Sequence, residues 1–315
     1  MSTRAEFSLR SIRAVVIAGV LAATLLGCSL VRGAPPRPDG PAPAQTGHPA
    51  AGGVPVDPAE FASGACVSYG PTSGDNHQTV FLDAGHGGID PGAQGVTTDG
   101  HTIFEAEETL PVELDTMALL RAKGYRVVVS RTGDTNVARL SAADTSDGLL
   151  SAAGVHADVA ARDICANRAK ATILVGIYFN GSASQSSAGS ITGYDTARPF
   201  AADNQRLATL VQNDVLASMN SHGWQIPDDG VVSDTTLGGP ALTTAAADYG
   251  HLLLLGPADP PWFTTPSQMP GALIEPLFLT DPFEGSVANS TAGQQAIADG
   301  MAEAVQQYFA GSGPA

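Results

Sequence analysis

Asp83, His86 and Asp90 fall within one glycine-rich run, DAGHGGIDPGAQG (83–95), directly after the apolar segment TVFL (79–82). An imidazole with carboxylates beside it is a donor set for a divalent ion such as zinc. A second acidic group, Glu105, Glu107 and Glu108, opens a segment with helical spacing. Carboxylates in a first helical turn also complement the helix dipole, so ligation and simple capping both stay open for these three. Glu275 stands inside the otherwise apolar run GALIEPLFL (271–279). A charge there is costly unless it is paired, bound to a metal, or set at a strand end for function.

Such residues need elements to hold them. TVFLD (79–83) reads as a short strand whose end feeds the glycine-rich loop, and in parallel α/β sheets ligands bind beyond the carboxyl ends of strands. Glu105 to Lys123 has Leu110, Leu114, Met117, Ala118 and Leu120 near one face, and Gly124 stops the helix. YRVVVS (125–130) is the next strand. Asp158 to Lys170 reads as a helix. TILVGIYF (172–179) is a continuous apolar run, as in a central strand buried on both faces. Residues 203–221 form an amphipathic helix, 271–279 a further buried strand, and 291–309 a closing helix. This alternation predicts one α/β domain with a twisted, mostly parallel sheet flanked by helices.

Composition narrows the partners. Fifteen Lys and Arg face 31 Asp and Glu, for a formal net charge of -16. Nucleic acid is excluded as an expected partner, because phosphate binding needs clustered basic residues. Arg4, Arg10 and Arg13 precede the apolar run Ala14 to Leu26, which is short for a membrane span but suited to a signal-peptide core. The run ends in LLGC, and Cys28 resembles the cysteine of the bacterial lipobox, which receives a lipid after export. Residues 31–65 are rich in Pro, Ala and Gly without periodicity and are expected to be a disordered tether. The predicted organisation is therefore a signal peptide over 1–27, a tether over 28–77 and a folded domain over 78–311. With Cys28 lipidated, Cys66 and Cys165 remain as a disulfide pair or as two buried thiols.

The spacing of these pieces resembles the zinc-dependent N-acetylmuramoyl-L-alanine amidases of the third amidase type. The residues that carry the resemblance are DAGHGGIDPGAQG, the EAEETL that opens a helix ending in KGYRVVVSR, RDICAN (162–167), and PGALIEPLFLTDP (270–282). It covers roughly residues 78–309. It implies that His86 and Glu105 bind zinc, with Glu105 chosen over Glu107 and Glu108 by counting back from Gly124. It implies that Glu275 is the catalytic carboxylate, with Asp83 and Asn180 as substrate contacts or outer-shell partners.

One position departs from the family. Its third zinc ligand is a histidine, and alignment on Asn180 places Tyr178 there. Tyrosine binds zinc only as phenolate, and its ordinary pKa is about 10. Tyr178 is therefore expected as a weak ligand, as a hydrogen-bond donor beside a two-ligand metal, or as a mark of lost catalysis. His77, His101, His222 and His251 are substitute ligands to consider, His251 foremost. Residues 135–161 form a longer connection than the family's and are expected to be a lid or a tolerated surface insertion. The expected protein is a monomeric bacterial peptidoglycan hydrolase outside the cytoplasm, held to the membrane only by the lipid on Cys28. It would cleave the amide between N-acetylmuramic acid and L-alanine. The rival expectation is a peptidoglycan-binding lipoprotein that has kept the fold and lost the activity.

Overall fold

The computed structural model describes residues 52–237 and 242–311. The expected signal peptide, Cys28 and the tether up to residue 51 lie outside the described residues. Twelve strands and six α-helices are described, in the order β1 (Val54–Pro55), β2 (Ala65–Tyr69), β3 (Thr79–Ala84), β4 (Gln94–Val96), β5 (Thr102–Phe104), α1 (Glu105–Ala122), β6 (Arg126–Arg131), β7 (Thr145–Ser146), β8 (Leu149–Leu150), α2 (Ala152–Arg168), β9 (Ile173–Ile177), β10 (Ser190–Tyr194), α3 (Ala201–Ser221), β11 (Asp228–Ser233), α4 (Thr244–Tyr249), β12 (Gly271–Glu275), α5 (Pro282–Ala288) and α6 (Thr291–Ala310).

Eight strands form the main sheet, in the order β1-β2-β6-β3-β9-β12-β10-β11. The central run β6, β3, β9 and β12 is parallel. These are the apolar segments that the sequence marks as buried on both faces. Alternation along each strand sorts their side chains. Val80, Leu82, Val175 and Ile274 pack with residues of α1, α3 and α6 on one face. Phe81, Val128, Leu174 and Leu273 pack on the other face with Ala161, Cys165 and Ala166 of α2 and with Leu254, Leu255 and Met269. A one-residue change of register would exchange the two sets, so the two helix layers fix it.

The amino-terminal boundary differs from the expected one. Residues 54–69 are not tether: β2 lies inside the sheet between β1 and β6, and Tyr69 is fully buried. The Pro- and Gly-rich composition around this five-residue strand hides it from a periodicity reading. What holds the segment is tertiary. Cys66 is disulfide-bonded to Cys165 of α2, 99 residues away, and both are fully buried. Residues 135–161 also have structure: a 3-10 turn (Ala142–Asp144), the β7–β8 hairpin and the first turns of α2. Ser151 caps α2, accepting a hydrogen bond from the Gly154 amide at 3.2 Å.

Candidate active site

The carboxyl ends of β3, β9 and β12 are adjacent and point the same way. The loop after β3 carries His86. His86 has φ of 61°, a left-handed conformation that non-glycine residues rarely adopt. The surrounding structure holds it there. Arg162 of α2 donates to the carbonyls of Ala84 (2.7 Å) and His86 (2.8 Å). Arg131, at the end of β6, donates to the carbonyls of Ala84 (3.2 Å) and Gly85 (3.3 Å). Gly92, at φ of 68°, lets the loop pass against the site: a Cβ there would lie 2.7 Å from both the Glu105 Cβ and the His86 Cδ2.

His86 is held at both ring nitrogens. Nδ1 lies 2.9 Å from Asp90 Oδ2, and Nε2 lies 3.1 Å from Glu105 Oε2. Glu105 is the first residue of α1 and is 3 % exposed. It accepts from the amides of Ala93 (Oε2, 2.9 Å) and Phe179 (Oε1, 2.9 Å). Burial opposes a charged imidazole, but Glu105 and Asp90 outweigh it and raise the His86 pKa to about 10. Glu107 is exposed, and Glu108 points instead to Asn289 (2.7 Å) and Gln294 (3.1 Å). Of the three acidic residues that open α1, the structure therefore brings Glu105 to His86.

Glu275 ends β12, the strand beside β9. Burial raises its carboxyl pKa to about 7, Glu105 adds to the rise, and His86 works against it. The preceding Ile274 pairs with Ile177, which pairs with Ala84, so Glu275 ends its strand at the same carboxyl edge as the His86 loop. Asn180, in the loop after β9, is bridged to Phe278, and its side-chain oxygen accepts from the Gly181 amide at 2.8 Å.

Tyr178 follows β9 and packs on the α2 face of the sheet. Its ring meets His86 edge-on at 5.4 Å between centroids. Its hydroxyl, however, donates to Asp83 Oδ2 at 3.2 Å. Asp83 Oδ1 in turn lies 2.6 Å from Arg162, which also binds Asp158 at 2.9 Å. Burial pushes the Tyr178 phenol well above its ordinary pKa, and Asp83 pushes it further. Without the charge of an ion beside it a phenolate is disfavoured twice, and of the roles expected of Tyr178 the hydroxyl here makes a hydrogen bond, to Asp83. Asp83 belongs to the same network, accepting from Tyr178 and Arg162.

The substitute histidines are elsewhere. His77 is exposed beside Asp75 (3.5 Å), and His222 stacks on Trp224 at 4.5 Å. His101 lies exposed in the connection between β4 and β5. His251 pairs with Asp195 and Asp234, near the opposite end of the sheet. The clamp residues Arg131 and Arg162 were not identified as functional from sequence. Their signal was present, since an arginine within a buried strand and one in a core-facing helix both require buried acceptors.

The family described as N-acetylmuramoyl-L-alanine amidase matches residues 80–307. The germination-specific N-acetylmuramoyl-L-alanine amidase of Bacillus subtilis (strain 168) is 24% identical over 243 residues, covering 77% of this chain and 83% of that protein. Among solved structures, the CwlD amidase of Clostridioides difficile, in complex with the GerS lipoprotein, is similar with a TM-score of 0.55 and 21% identity, covering 74% of this chain and 98% of that one. The N-acetylmuramyl-L-alanine amidase of Mycobacterium smegmatis has a TM-score of 0.51 and 20% identity, covering 76% and 100%. The structural likenesses establish the shared α/β fold, and the match over residues 80–307 establishes more: the chain belongs to the N-acetylmuramoyl-L-alanine amidase family.

Proposed function

We propose that His86 and Glu105 hold a zinc ion and that Glu275 moves the protons of amide hydrolysis. The chain is a peptidoglycan amidase, and the bond it hydrolyses joins N-acetylmuramic acid to L-alanine of the stem peptide. The observation that carries the residue roles is the meeting of His86 Nε2 and Glu105 Oε2 at 3.1 Å, with Asp90 on the other ring nitrogen. Two zinc ligands at about 2.0–2.2 Å from one ion stand about this far apart. With the proton on Nδ1, His86 donates to Asp90, and the Nε2 lone pair faces the ion. Tyr178 does not fit as a third ligand, because its hydroxyl is committed to Asp83.

A zinc ion, when bound, supplies Lewis acidity to the scissile carbonyl and acidifies water. Glu275 does the rest. Its pKa of about 7 suits a group that takes a proton from the attacking water and returns it to the leaving amine. The amide bond breaks, the new carboxylate stays on the muramoyl lactyl group, and the amine leaves as the L-alanine terminus. The network of Asp83, Arg162, Asp158 and Tyr178 keeps the His86 loop in its strained conformation, so that ligand and base stay aligned.

The same reading extends to placement. We infer an extracytoplasmic lipoprotein held by lipid on Cys28, from the order of Arg-rich start, apolar core and LLGC. None of the described helices is long and apolar enough to cross a membrane. Cys28→Ser should release the full chain from membranes, and a variant that stays membrane-bound contradicts the anchor. For the activity, purified peptidoglycan should yield new L-alanine amino termini, lost with a zinc chelator and regained with zinc. Digestion that continues unchanged at full chelation contradicts the zinc assignment. Zinc binding without any released termini would favour the peptidoglycan-binding reading, which rests on Tyr178 standing where the family has a histidine.

A further inference from the structure

Asp195 follows β10, Asp234 opens a 3-10 turn after β11, and His251 follows α4. These three come together without any motif in the sequence. His251 Nδ1 lies 2.8 Å from Asp195 Oδ2 and 3.2 Å from Asp234 Oδ2. Both carboxylate side chains are fully buried, whereas His251 is 21% exposed. The cluster is remote from Glu275. Ile191 of β10 pairs with Glu275, and Asp195 lies four residues further along, or about 13 Å at ~3.3 Å per residue.

Hydrogen-bond accounting does not close around these groups. Asp195 Oδ1 accepts from the amides of Ala197 (2.7 Å) and Arg198 (2.8 Å). Asp234 Oδ2 accepts from the Leu252 amide at 3.0 Å and pairs with His251 Nδ1 at 3.2 Å. Nδ1 carries at most one proton, so it cannot satisfy both carboxylates, and its hydrogen bond runs to Asp234. Asp195 Oδ2 is then buried with no hydrogen-bond partner, although Nδ1 stands 2.8 Å away. A bare buried carboxylate oxygen is costly and calls for an explanation. The nearby Arg198 guanidinium does not supply one, because it is taken by the carbonyls of Leu255, Gly256 and Ser267.

A divalent cation in place of the proton satisfies all three groups at once. One imidazole nitrogen and two carboxylate oxygens lie within 4.8 Å of one another. Tetrahedral ligands at about 2.0–2.2 Å from one ion stand roughly 3.3–3.6 Å apart, so His251 and the two carboxylates need separate by less than about 1 Å to share it. Two carboxylates and a neutral imidazole also balance a doubly charged ion, which removes the cost of burying net charge. The imidazole favours a first-row transition ion such as zinc over magnesium or calcium. We propose that Asp195, Asp234 and His251 form a second divalent-cation site, independent of the His86–Glu105 pair. It ties the ends of β10 and β11 to the segment after α4, whose Leu254 and Leu255 pack beneath the sheet. The part-exposed edge of His251 gives the ion its entry.

The test is zinc titration of the metal-free full chain by calorimetry, with zinc content measured after gel filtration. The wild type should take up two ions, His86→Ala one, and His86→Ala combined with Asp195→Asn none. Asp195→Asn keeps the side-chain oxygen that accepts from Ala197 and Arg198, so folding should survive. Asp234→Asn in the His86→Ala background should weaken zinc binding at least about tenfold, the loss seen even for outer-shell partners. Zinc should also raise the melting temperature of His86→Ala. One ion in the wild type and none in His86→Ala overturns the second site and leaves the first standing. One ion in the wild type, kept by His86→Ala and lost on adding Asp195→Asn, supports the second site and counts against the first. Equal zinc affinity in His86→Ala with and without Asp195→Asn overturns the proposal.

Discussion

The two ends of the sheet each set a histidine against two carboxylates, and they do it differently. His86 spends one nitrogen on Asp90 and the other on Glu105. His251 presents the same nitrogen, Nδ1, to both Asp195 and Asp234. In the first arrangement Asp90 orients the ring, and an ion between Nε2 and Glu105 as proposed would keep coordination positions for substrate and water. In the second, three donors converge and enclose one point. The first also has a further carboxylate, Glu275, whose pKa burial and Glu105 raise to about 7. The difference teaches that a catalytic end is marked by an uncommitted base as much as by its ligands.

Glu275→Gln should separate the two ends most sharply. Amide hydrolysis should fall by about 10²–10⁴, the usual weight of a general acid–base group, while zinc uptake at both ends persists. The wild-type rate should rise as pH passes through about 7, because burial, and then Glu105, raises the Glu275 pKa and the deprotonated form is the active base. Below that pH the rate should drop toward roughly tenfold per unit. A flat pH profile together with an active Glu275→Gln would remove Glu275 from the mechanism. Cys165→Ser should instead weaken the whole fold. The bridge closes a 99-residue separation, and losing it should cost roughly 2–5 kcal/mol in chemical unfolding. A variant as stable as the wild type would contradict that role for the bridge.

Finer effects probe the catalytic end alone. Asp90→Asn should lower zinc affinity there by about 10–100-fold, as outer-shell changes do. Hydrolysis at saturating zinc should be nearly normal, and calorimetry with rate measurements checks both. Tyr178→Phe should change zinc affinity by less than about twofold. It should lower stability by about 1 kcal/mol, since it removes one hydrogen bond to a buried carboxylate that Arg162 still holds. A large loss of zinc binding in Tyr178→Phe would return the hydroxyl to the ligand set.

The central strands, α1, α3, α6 and the pairing of loop with helix were legible because their signals are local. An apolar run, a stop at Gly124 and a histidine in a glycine-rich loop can each be read within a dozen residues. The same locality explains the misreadings. β2 is five residues long in a Pro- and Gly-rich setting, and its place in the sheet depends on pairing with β6 and on the bridge to α2. β10 and β11 carry no local signal either, being short segments whose place depends on pairing with each other and with β12.

By itself the sequence determined the α/β class, the strands that end at the site and the residue types able to hold an ion there, since periodicity and composition express local preference. Tertiary structure decided the partners. It turned the Tyr178 hydroxyl toward Asp83, because alternation along β9 sets Tyr178 on the α2 face and Arg162 holds Asp83 within its reach. It committed Glu108 to Asn289 and Gln294 and held Glu105, the residue that counting back from Gly124 selects, against His86. It gathered Asp195, Asp234 and His251, because an antiparallel strand returns the chain to the far sheet edge, and no spacing in the sequence encodes that return.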